Sequence, residues 1–275
     1  SFVDWMMFGL PLSLFMLAIA WLYLTRIACR IHGPALPGVE KLLQQELEKL
    51  GPISKQERRV LAVFLAVSIS WIVRGLVDIP LLSLVSDASI AMAGALALFL
   101  IPSDLSKNEF LLDWETAVRI PWEILILFGG GFALAMGFTE SGLSQWIAGQ
   151  LEVLAGAPLL LIVLAVTLTV IFLTEVTSNT ATATLMIPVL GALSAAMQLH
   201  PYSLIVPAAI AASYAFMLPV ATPPNAIVFS SGQVTIPQMA KTGLLLNLIA
   251  TLMISLFVLY LLPVVWGINL SAMPG

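Results

Sequence analysis

The sequence has 275 residues, of which 60% are hydrophobic and only 9% are charged, and its formal net charge is −4. This composition excludes a soluble globular domain. Apolar runs near the roughly 20 residues that cross a bilayer core recur along the chain, which predicts an all-α polytopic membrane protein rather than a β-barrel. The single cysteine, Cys29, excludes an internal disulfide, and two distant histidines, His32 and His200, argue against a histidine-based metal site. No nucleic-acid partner is expected.

The first 59 residues combine one apolar run with a polar, basic connection. Residues 5–25 predict a membrane-spanning helix, and residues 26–59 hold seven of the eleven cations, which places that connection in the cytoplasm. Within the connection, one helical face collects apolar side chains and predicts an amphipathic helix at the membrane surface: Val39, Leu42, Leu43, Leu47 and Leu50. Ser54 and Glu57 have the spacing of a capping box that begins the next helix.

Three further spans are predicted before the middle of the chain, over residues 60–76, 88–102 and 120–138. The last contains Gly129-Gly130-Gly131, and because glycine lowers helix propensity, the triplet indicates close contact between helix backbones. Residues 139–156 contain no Lys or Arg, which predicts an external segment, and their apolar spacing suggests a helix lying along the membrane interface.

Residues 157–199 consist of two apolar runs around a polar centre that begins at Thr174. The residues alone allow two crossings joined by an aqueous loop, or a re-entrant hairpin whose polar tip stops within the membrane. The tip has no Lys, Arg, Gly or Asp, which is unusual for an aqueous turn and favours the hairpin. Ser178, Asn179 and Thr180 at the tip have side chains suited to capping a helix N-terminus.

Residues 203–235 predict one helix interrupted at residues 218–225, where three prolines occur in six residues. Two half-helices around an unwound polar segment are typical of a binding site at the midplane of a transporter. The last span is predicted at 239–265, which makes Lys241 cytoplasmic and the C-terminal end external.

The two breaks supply groups suited to a cation and to an anion. The side chains of Thr174 and Asn179, with backbone carbonyls near Thr177 and Ala221, predict an all-oxygen site for Na⁺. Hydroxyls of Ser178, Thr180 and Thr222 and the Asn179 amide suit carboxylate or sulfate oxygens, next to a helix N-terminus. The alternative is that Ser and Thr only join helices and prolines only bend them. For Glu175 we expect hydrogen-bonded support of the tip rather than proton transfer.

Four segments carry a family resemblance that extends over roughly residues 1–265. They are Ser178-Asn179-Thr180, Phe216-Met217-Leu218-Pro219-Val220-Ala221-Thr222-Pro223-Pro224-Asn225-Ala226, Leu127-Phe128-Gly129-Gly130-Gly131-Phe132-Ala133-Leu134 and Ser86-Asp87-Ala88. Together they resemble the divalent anion:sodium symporter family of di- and tricarboxylate transporters. The resemblance implies the second of two inverted repeats, preceded by a linking helix, in a homodimeric transporter with an elevator mechanism, and it favours the re-entrant hairpin.

In these terms the chain divides into three parts. Residues 1–59 are the linking helix and the cytoplasmic amphipathic helix, residues 60–156 are scaffold, dimerisation and interfacial helices, and residues 157–275 belong to the moving transport domain. That domain comprises the hairpin 157–199, the broken helix 203–235 and the last helix 239–265. The resemblance also implies its site residues: Thr174, Thr177, Asn179 and Ala221 for Na⁺, and Ser178, Asn179, Thr180, Thr222 and Pro223 for substrate.

The first repeat is not among these residues, and we therefore expect that this chain alone does not transport. The function expected of the whole protein is Na⁺-coupled symport of C4-dicarboxylates such as succinate, malate and fumarate, across a bacterial inner membrane. Sulfate or citrate transport by the same fold is the first alternative. A membrane-embedded hydrolase using Ser178 lacks a nearby histidine base, so that we do not expect an enzyme. A purely structural subunit would leave both polar breaks unexplained.

Overall fold

The computed structural model describes residues 1–28, 39–77, 85–104, 109–120, 122–143, 146, 157–230 and 232–273. Two compact units divide the chain, one made of residues 1–7 and 31–120, the other of residues 8–30 and 121–275. These two units are defined by packing. The predicted boundaries at residues 59 and 156 separate parts with different functions, and they stay a prediction.

Helix α1 begins at the start of the chain and is shared between the units. It runs over Phe2–Leu22 and continues as a π-helix over Tyr23–Ala28, which confirms the predicted first helix. Its buried side chains in the second unit are Phe8, Leu12 and Met16, and the ring of Phe8 lies 6.2 Å from that of Trp266.

The first unit contains α2 (Val39–Leu50), α3 (Lys55–Leu76), α4 (Asp87–Leu100), β1 (Pro102–Asp104), β2 (Glu109–Phe110) and α5 (Trp114–Ala117). The helix predicted in the basic connection is present as α2, and its place at the membrane surface stays a prediction. The predicted capping box is also confirmed, since Glu57 N–H donates to Ser54 Oγ at 3.1 Å and Ser54 N–H donates to Glu57 Oε2 at 2.7 Å. The two short strands pair antiparallel after α4.

Side chains of α3 hold both ends of α4. Trp71 Nε1 donates to the Asp87 carbonyl at 3.0 Å, and Arg74 forms an ion pair of 2.8 Å with the Asp87 carboxylate. Toward the other end, the Arg59 guanidinium donates to the carbonyls of Pro102 and Ser103. The basic side chain of Arg74 therefore has an acidic partner inside its own unit.

The second unit contains α6 (Trp122–Glu140), α7 (Leu159–Thr174), α8 (Asn179–Ala196), α9 (Tyr202–Ala211), α10 (Pro223–Ser230), α11 (Ile236–Leu256), a π-helix (Phe257–Leu261) and α12 (Leu262–Trp266). Helix α9 packs against α7, α8 and α11, α7 packs against α11, and α6 packs against α8. Apolar residues on α9 such as Leu204, Ala208 and Ala211 are fully buried, so α9 lies at the centre of this core.

Four helical segments in the described part of the chain are long and apolar enough to cross a membrane. They are Phe2–Ala28, Lys55–Leu76, Asn179–Ala196 and Ile236–Trp266. The last is longer than the predicted span at 239–265. Most of the predicted interfacial helix at 139–156 lies outside the described residues.

The predicted helix break is present, but its position differs from the predicted residues 218–225. The first half-helix, α9, ends at Ala211, and the chain is then non-helical until α10 begins at Pro223. Proline is favourable in the first turn of a helix, because its fixed φ is helical and the N–H it lacks has no acceptor there. Pro223 and Pro224 therefore begin a helix rather than end one, and the unwound segment is residues 212–222.

Only one glycine of the predicted triplet lies against another helix in the described contacts. A Cβ on Gly131 would lie 2.7 Å from the Thr184 carbonyl oxygen of α8, whereas a Cβ on Gly129 or Gly130 meets no atom within 4 Å. Successive helical residues point in different directions, about 100° apart, so that a single glycine faces α8. The prediction of close backbone contact is confirmed for Gly131.

Candidate functional site: the hairpin turn and the unwound segment

The predicted hairpin is present as two helices joined by a short turn. Helix α7 ends at Thr174, α8 begins at Asn179, and residues 175–178 connect them. At about 1.5 Å per residue, the 16 residues of α7 extend about 24 Å, less than the roughly 30 Å of a bilayer core. The turn brings the C-terminal end of one helix next to the N-terminal end of another, and therefore free carbonyls next to free N–H groups.

Three oxygens converge at the end of α7. The Thr174 hydroxyl, which is fully buried, lies 2.7 Å from Asn179 Oδ1 and 2.8 Å from the Ala212 carbonyl oxygen. A hydroxyl has one hydrogen to donate, so that at any moment one of the two acceptors lacks it. This cluster is rich in oxygen and poor in hydrogen, which is the chemistry that suits a hard cation such as Na⁺. The structure thus brings Thr174 and Asn179 together, as predicted.

The hydroxyl of Thr177 is used inside the hairpin. It donates to the Leu173 carbonyl at 2.9 Å and lies 2.5 Å from the Thr182 hydroxyl, so that it joins the turn to both arms. The group predicted to bind Na⁺ at this position is the carbonyl. The fourth predicted ligand residue, Ala221, is nearly buried in the unwound segment, and its N–H donates to the Leu218 carbonyl at 3.2 Å.

The N-terminal end of α8 differs from the prediction in one respect. Ser178 is the N-cap residue, but its side chain makes no capping hydrogen bond, and its carbonyl accepts from Thr182 N–H at 2.8 Å in the ordinary helical way. The Ser178 side chain, although suited to capping, is therefore not used to cap α8. The first N–H groups of an α-helix have no helical acceptor, and the Ser178 side chain does not supply one here. This end of α8 is accordingly suited to an anion.

The N-terminal end of α10 differs from that of α8 in the backbone donors of its first turn. Pro223 and Pro224 have no N–H, Asn225 N–H donates to Thr222 Oγ1 at 3.3 Å, and Ala226 N–H donates to the Thr222 carbonyl at 3.1 Å. The first-turn donors are thus missing or already used. Since Thr222 Oγ1 accepts from the backbone, its hydrogen points elsewhere, and this end can offer a ligand one hydroxyl donor beside the Pro223 ring.

A buried carboxylate joins the turn to the unwound segment. Glu175 is 3% exposed, and its oxygens accept from the N–H groups of Phe216 at 2.8 Å, Met217 at 2.9 Å and Leu218 at 2.9 Å. The Asn247 side-chain amide of α11 donates to the same carboxylate at 2.8 Å. Glu175 is hydrogen-bonded as expected, but it supports the unwound segment rather than the tip.

Two amides that were given no role in the sequence analysis organise this region. Asn225 Nδ2 donates to the carbonyls of Ala215 and Leu218 at 3.0 and 3.1 Å, and Asn247 holds Glu175. The sequence indicates a role for Asn247, because its amide lies inside an apolar predicted span. An isolated polar group at such depth is energetically unfavourable unless it is hydrogen-bonded.

Comparison with known proteins gives a consistent family relationship. The family model described as "Sodium:sulfate symporter transmembrane region" matches residues 1–270. The chain is 46% identical to the sodium-dependent dicarboxylate transporter SdcS of Staphylococcus saprophyticus, over 98% of this chain and 53% of that protein. Identity and coverage are the same for SdcS of Staphylococcus aureus strain MRSA252. The chain thus spans about half the length of these curated relatives.

Proposed function

This chain belongs to the sodium:sulfate symporter family, and we propose that it forms one half of a sodium-coupled transporter of C4-dicarboxylates such as succinate, malate and fumarate. It is a multi-pass integral protein of the plasma membrane, and its family consists of transporters, in agreement with the prediction that it is not an enzyme. The observation that carries the proposal is the oxygen cluster at Thr174, which lies at the same turn as the N-terminal end of α8.

The cluster supports Na⁺ as the coupling ion. The proposed ligands are oxygens of Thr174, Thr177, Asn179 and Ala221, of which Thr174 and Asn179 are already in contact. Each of these groups is neutral, which favours a monovalent cation over an ion of higher charge. When bound, Na⁺ would supply the positive charge that the surrounding side chains do not.

The anion is proposed to bind beside that ion. No Lys or Arg occurs between Arg119 and Lys241, so that this stretch offers a carboxylate no lysine or arginine ion pair. The backbone donors at the start of α8 and the bound Na⁺ are the remaining sources of positive potential. Coupling follows directly, because a divalent anion in a neutral, apolar setting is unfavourable until the cation is present.

The substrate contacts are proposed to come from both breaks. Ser178, Asn179 and Thr180 would bind one carboxylate at the start of α8, and Thr222 with Pro223 would contact the substrate from the start of α10. Asn179 would touch both ligands, because its side chain lies in the oxygen cluster while its residue is the first of α8.

The transport step is proposed to be an elevator movement in a homodimer, with residues 157–275 in the moving part and 60–156 in the scaffold. The packing of α7, α8, α9 and α11 into one core supports movement of the hairpin and the unwound segment as a body. The first arm of the hairpin, at 16 residues, is shorter than the roughly 20 residues of a full crossing, which supports a re-entrant element.

The proposal is tested with the full-length protein that contains these residues, reconstituted in liposomes. We expect uptake of labelled succinate with an inward Na⁺ gradient and none when choline replaces Na⁺. Asn179→Ala should abolish both uptake and the thermal stabilisation by Na⁺. The control is Ser194→Ala, because Ser194 is also a polar residue of α8, is fully buried and donates to the Gly191 carbonyl of its own helix. Normal Na⁺ dependence in the Asn179 variant would contradict the proposed shared ligand.

Sulfate is the second candidate substrate, because the matching family description names a sodium:sulfate symporter. Uptake of labelled sulfate and of labelled citrate, each measured with and without an excess of unlabelled succinate, separates the candidates. Na⁺-dependent uptake of sulfate or citrate that excess succinate does not reduce would retain Na⁺ coupling and reassign the substrate.

A further inference from the structure

The unwound segment contains backbone N–H groups that have no helical acceptors, and a side chain of the hairpin turn accepts hydrogen bonds from them. Phe216, Met217 and Leu218 are partly buried and lie outside any helix, so that their N–H groups have no helical acceptors. Burying such donors without acceptors is strongly unfavourable, and most of all within a membrane. All three donate to the single carboxylate of Glu175, at 2.8 to 2.9 Å.

A fourth donor fixes the carboxylate itself. Asn247 on α11 is fully buried and places its amide nitrogen 2.8 Å from Glu175 Oε1, while its own oxygen accepts from Phe216 N–H at 3.3 Å. The pair therefore connects the hairpin turn, the unwound segment and α11. All of the partners recorded for the two Glu175 oxygens are donors, which is the arrangement that stabilises a carboxylate acceptor.

Glu175 of this pair lies next to the proposed Na⁺ ligands in the sequence, so that the pair can affect their positions. Glu175 directly follows Thr174, and Leu218 lies three residues before Ala221. Glu175 thus joins the hairpin turn, which carries three of the proposed Na⁺ ligands, to the unwound segment, which carries the fourth. Ligands from two separate elements bind an ion well only when the distance between those elements is fixed.

We propose that Glu175 and Asn247 are positioning residues that set the separation between the hairpin turn and the unwound segment, and thereby the affinity for Na⁺. The inference rests on the proposed Na⁺-coupled function and adds a regulating contact outside the ligand set. Neither residue is a ligand itself. Their action depends on one negative charge facing four donors.

This charge arrangement predicts that Asn247→Asp impairs Na⁺ binding more than Asn247→Leu does, whereas packing alone predicts the opposite. Asn247→Asp keeps size and shape but replaces the amide donor with an oxygen and places a second carboxyl group against Glu175, so that a hydrogen bond is lost and like-charge repulsion is added. Asn247→Leu alters the shape but introduces no charge, and it leaves the three backbone donors on Glu175. Glu175→Gln keeps size and shape but replaces one acceptor oxygen with an amide donor, so that at least one of the four donors loses its acceptor.

The experiment measures the Na⁺ concentration that half-saturates uptake of labelled succinate at pH 8, together with the thermal shift caused by Na⁺ in detergent. We expect a rise in the half-saturating concentration of about tenfold or more for Asn247→Asp and about threefold for Asn247→Leu. Glu175→Gln should raise the half-saturating Na⁺ concentration at least as much as Asn247→Leu. The succinate KM at saturating Na⁺ should change less than the Na⁺ dependence.

The matched control is Thr167→Val, because Thr167 is fully buried on α7 like Thr174, but its hydroxyl donates only to the Val163 carbonyl of its own helix. This variant should keep the wild-type Na⁺ dependence. The thermal shift by Na⁺ needs no substrate and gives the comparison even in variants with low uptake.

The outcomes separate the two proposals. A wild-type protein that neither takes up substrate with Na⁺ nor is stabilised by Na⁺ would refute the proposed function, and the positioning role with it. A Na⁺-responsive wild type with Asn247→Leu more impaired than Asn247→Asp, or with wild-type Na⁺ dependence in Glu175→Gln, would overturn only the positioning role.

Discussion

Gly243 allows α11 to approach the backbone of the unwound segment, and we predict that Gly243→Ala disrupts this contact. A Cβ built at this position would lie 2.2 Å from the Phe216 carbonyl oxygen, 2.4 Å from its carbonyl carbon and 2.7 Å from Met217 Cα. All three atoms belong to the backbone, so that no side-chain rotation removes the overlap. Ordinary contact begins near 3.4 Å, and either α11 or the segment must therefore move by about 1 Å.

The magnitude follows from two opposing effects. Overpacking a well-packed interior costs typically about 1–3 kcal/mol, and a rigid backbone neighbour places this case near the upper value. Alanine in place of glycine in a helix returns about 0.5–1 kcal/mol. We therefore expect a net loss of about 2 kcal/mol in the free energy of unfolding. The displacement also moves Phe216 and Met217 relative to Glu175, so that stabilisation by Na⁺ should weaken as well.

Thermal unfolding of the purified protein in detergent, with and without Na⁺, measures both effects. Gly130→Ala is the matched control, because the substitution is the same, the residue is also helical, and an added Cβ there meets no atom within 4 Å. The control should be as stable as wild type or slightly more so. If Gly243→Ala unfolds at the same temperature as Gly130→Ala and keeps its response to Na⁺, the proposed close approach is refuted.

Three further predictions concern other contacts. Gly131→Ala should destabilise by about 1–3 kcal/mol in thermal unfolding, because its Cβ would lie 2.7 Å from the Thr184 carbonyl oxygen; an unchanged midpoint would contradict that contact. Ser54→Ala should cost about 1 kcal/mol, since it removes the acceptor for Glu57 N–H, and a chemical denaturation series that shows no loss would refute the capping role. Thr174→Val should raise the half-saturating Na⁺ concentration about tenfold, by removing an ion ligand, and equal Na⁺ curves would exclude that role.

The features that local sequence determines were predictable. Apolar runs gave both arms of the hairpin, with the first predicted at 157–173 and found at Leu159–Thr174. The Ser54 capping box was recognised because its two side chains act within one turn of their own helix. The convergence of Thr174 and Asn179 was predictable for the same reason, since only a four-residue turn separates the two helices.

The position of the helix break was not predictable, because its cause is distant in the sequence. Residues 212–217 contain neither proline nor glycine, and nothing in their local propensity ends α9 at Ala211. The backbone donors from Phe216 onward find their acceptor on Glu175, 41 residues earlier in the chain. A tertiary hydrogen bond of this kind overrides local preference and leaves no signature in the segment itself.

The unequal ends of α8 and α10 have a consequence for how such a site can change during evolution. Backbone N–H groups at the start of α8 persist whatever side chains are substituted there, unless a proline is introduced. At the start of α10, the prolines leave the Thr222 hydroxyl and a ring surface as the groups open to variation. At the proposed substrate site, selection for a new anion would then act through side chains such as Thr222, whereas the proposed contribution of the α8 backbone would stay the same.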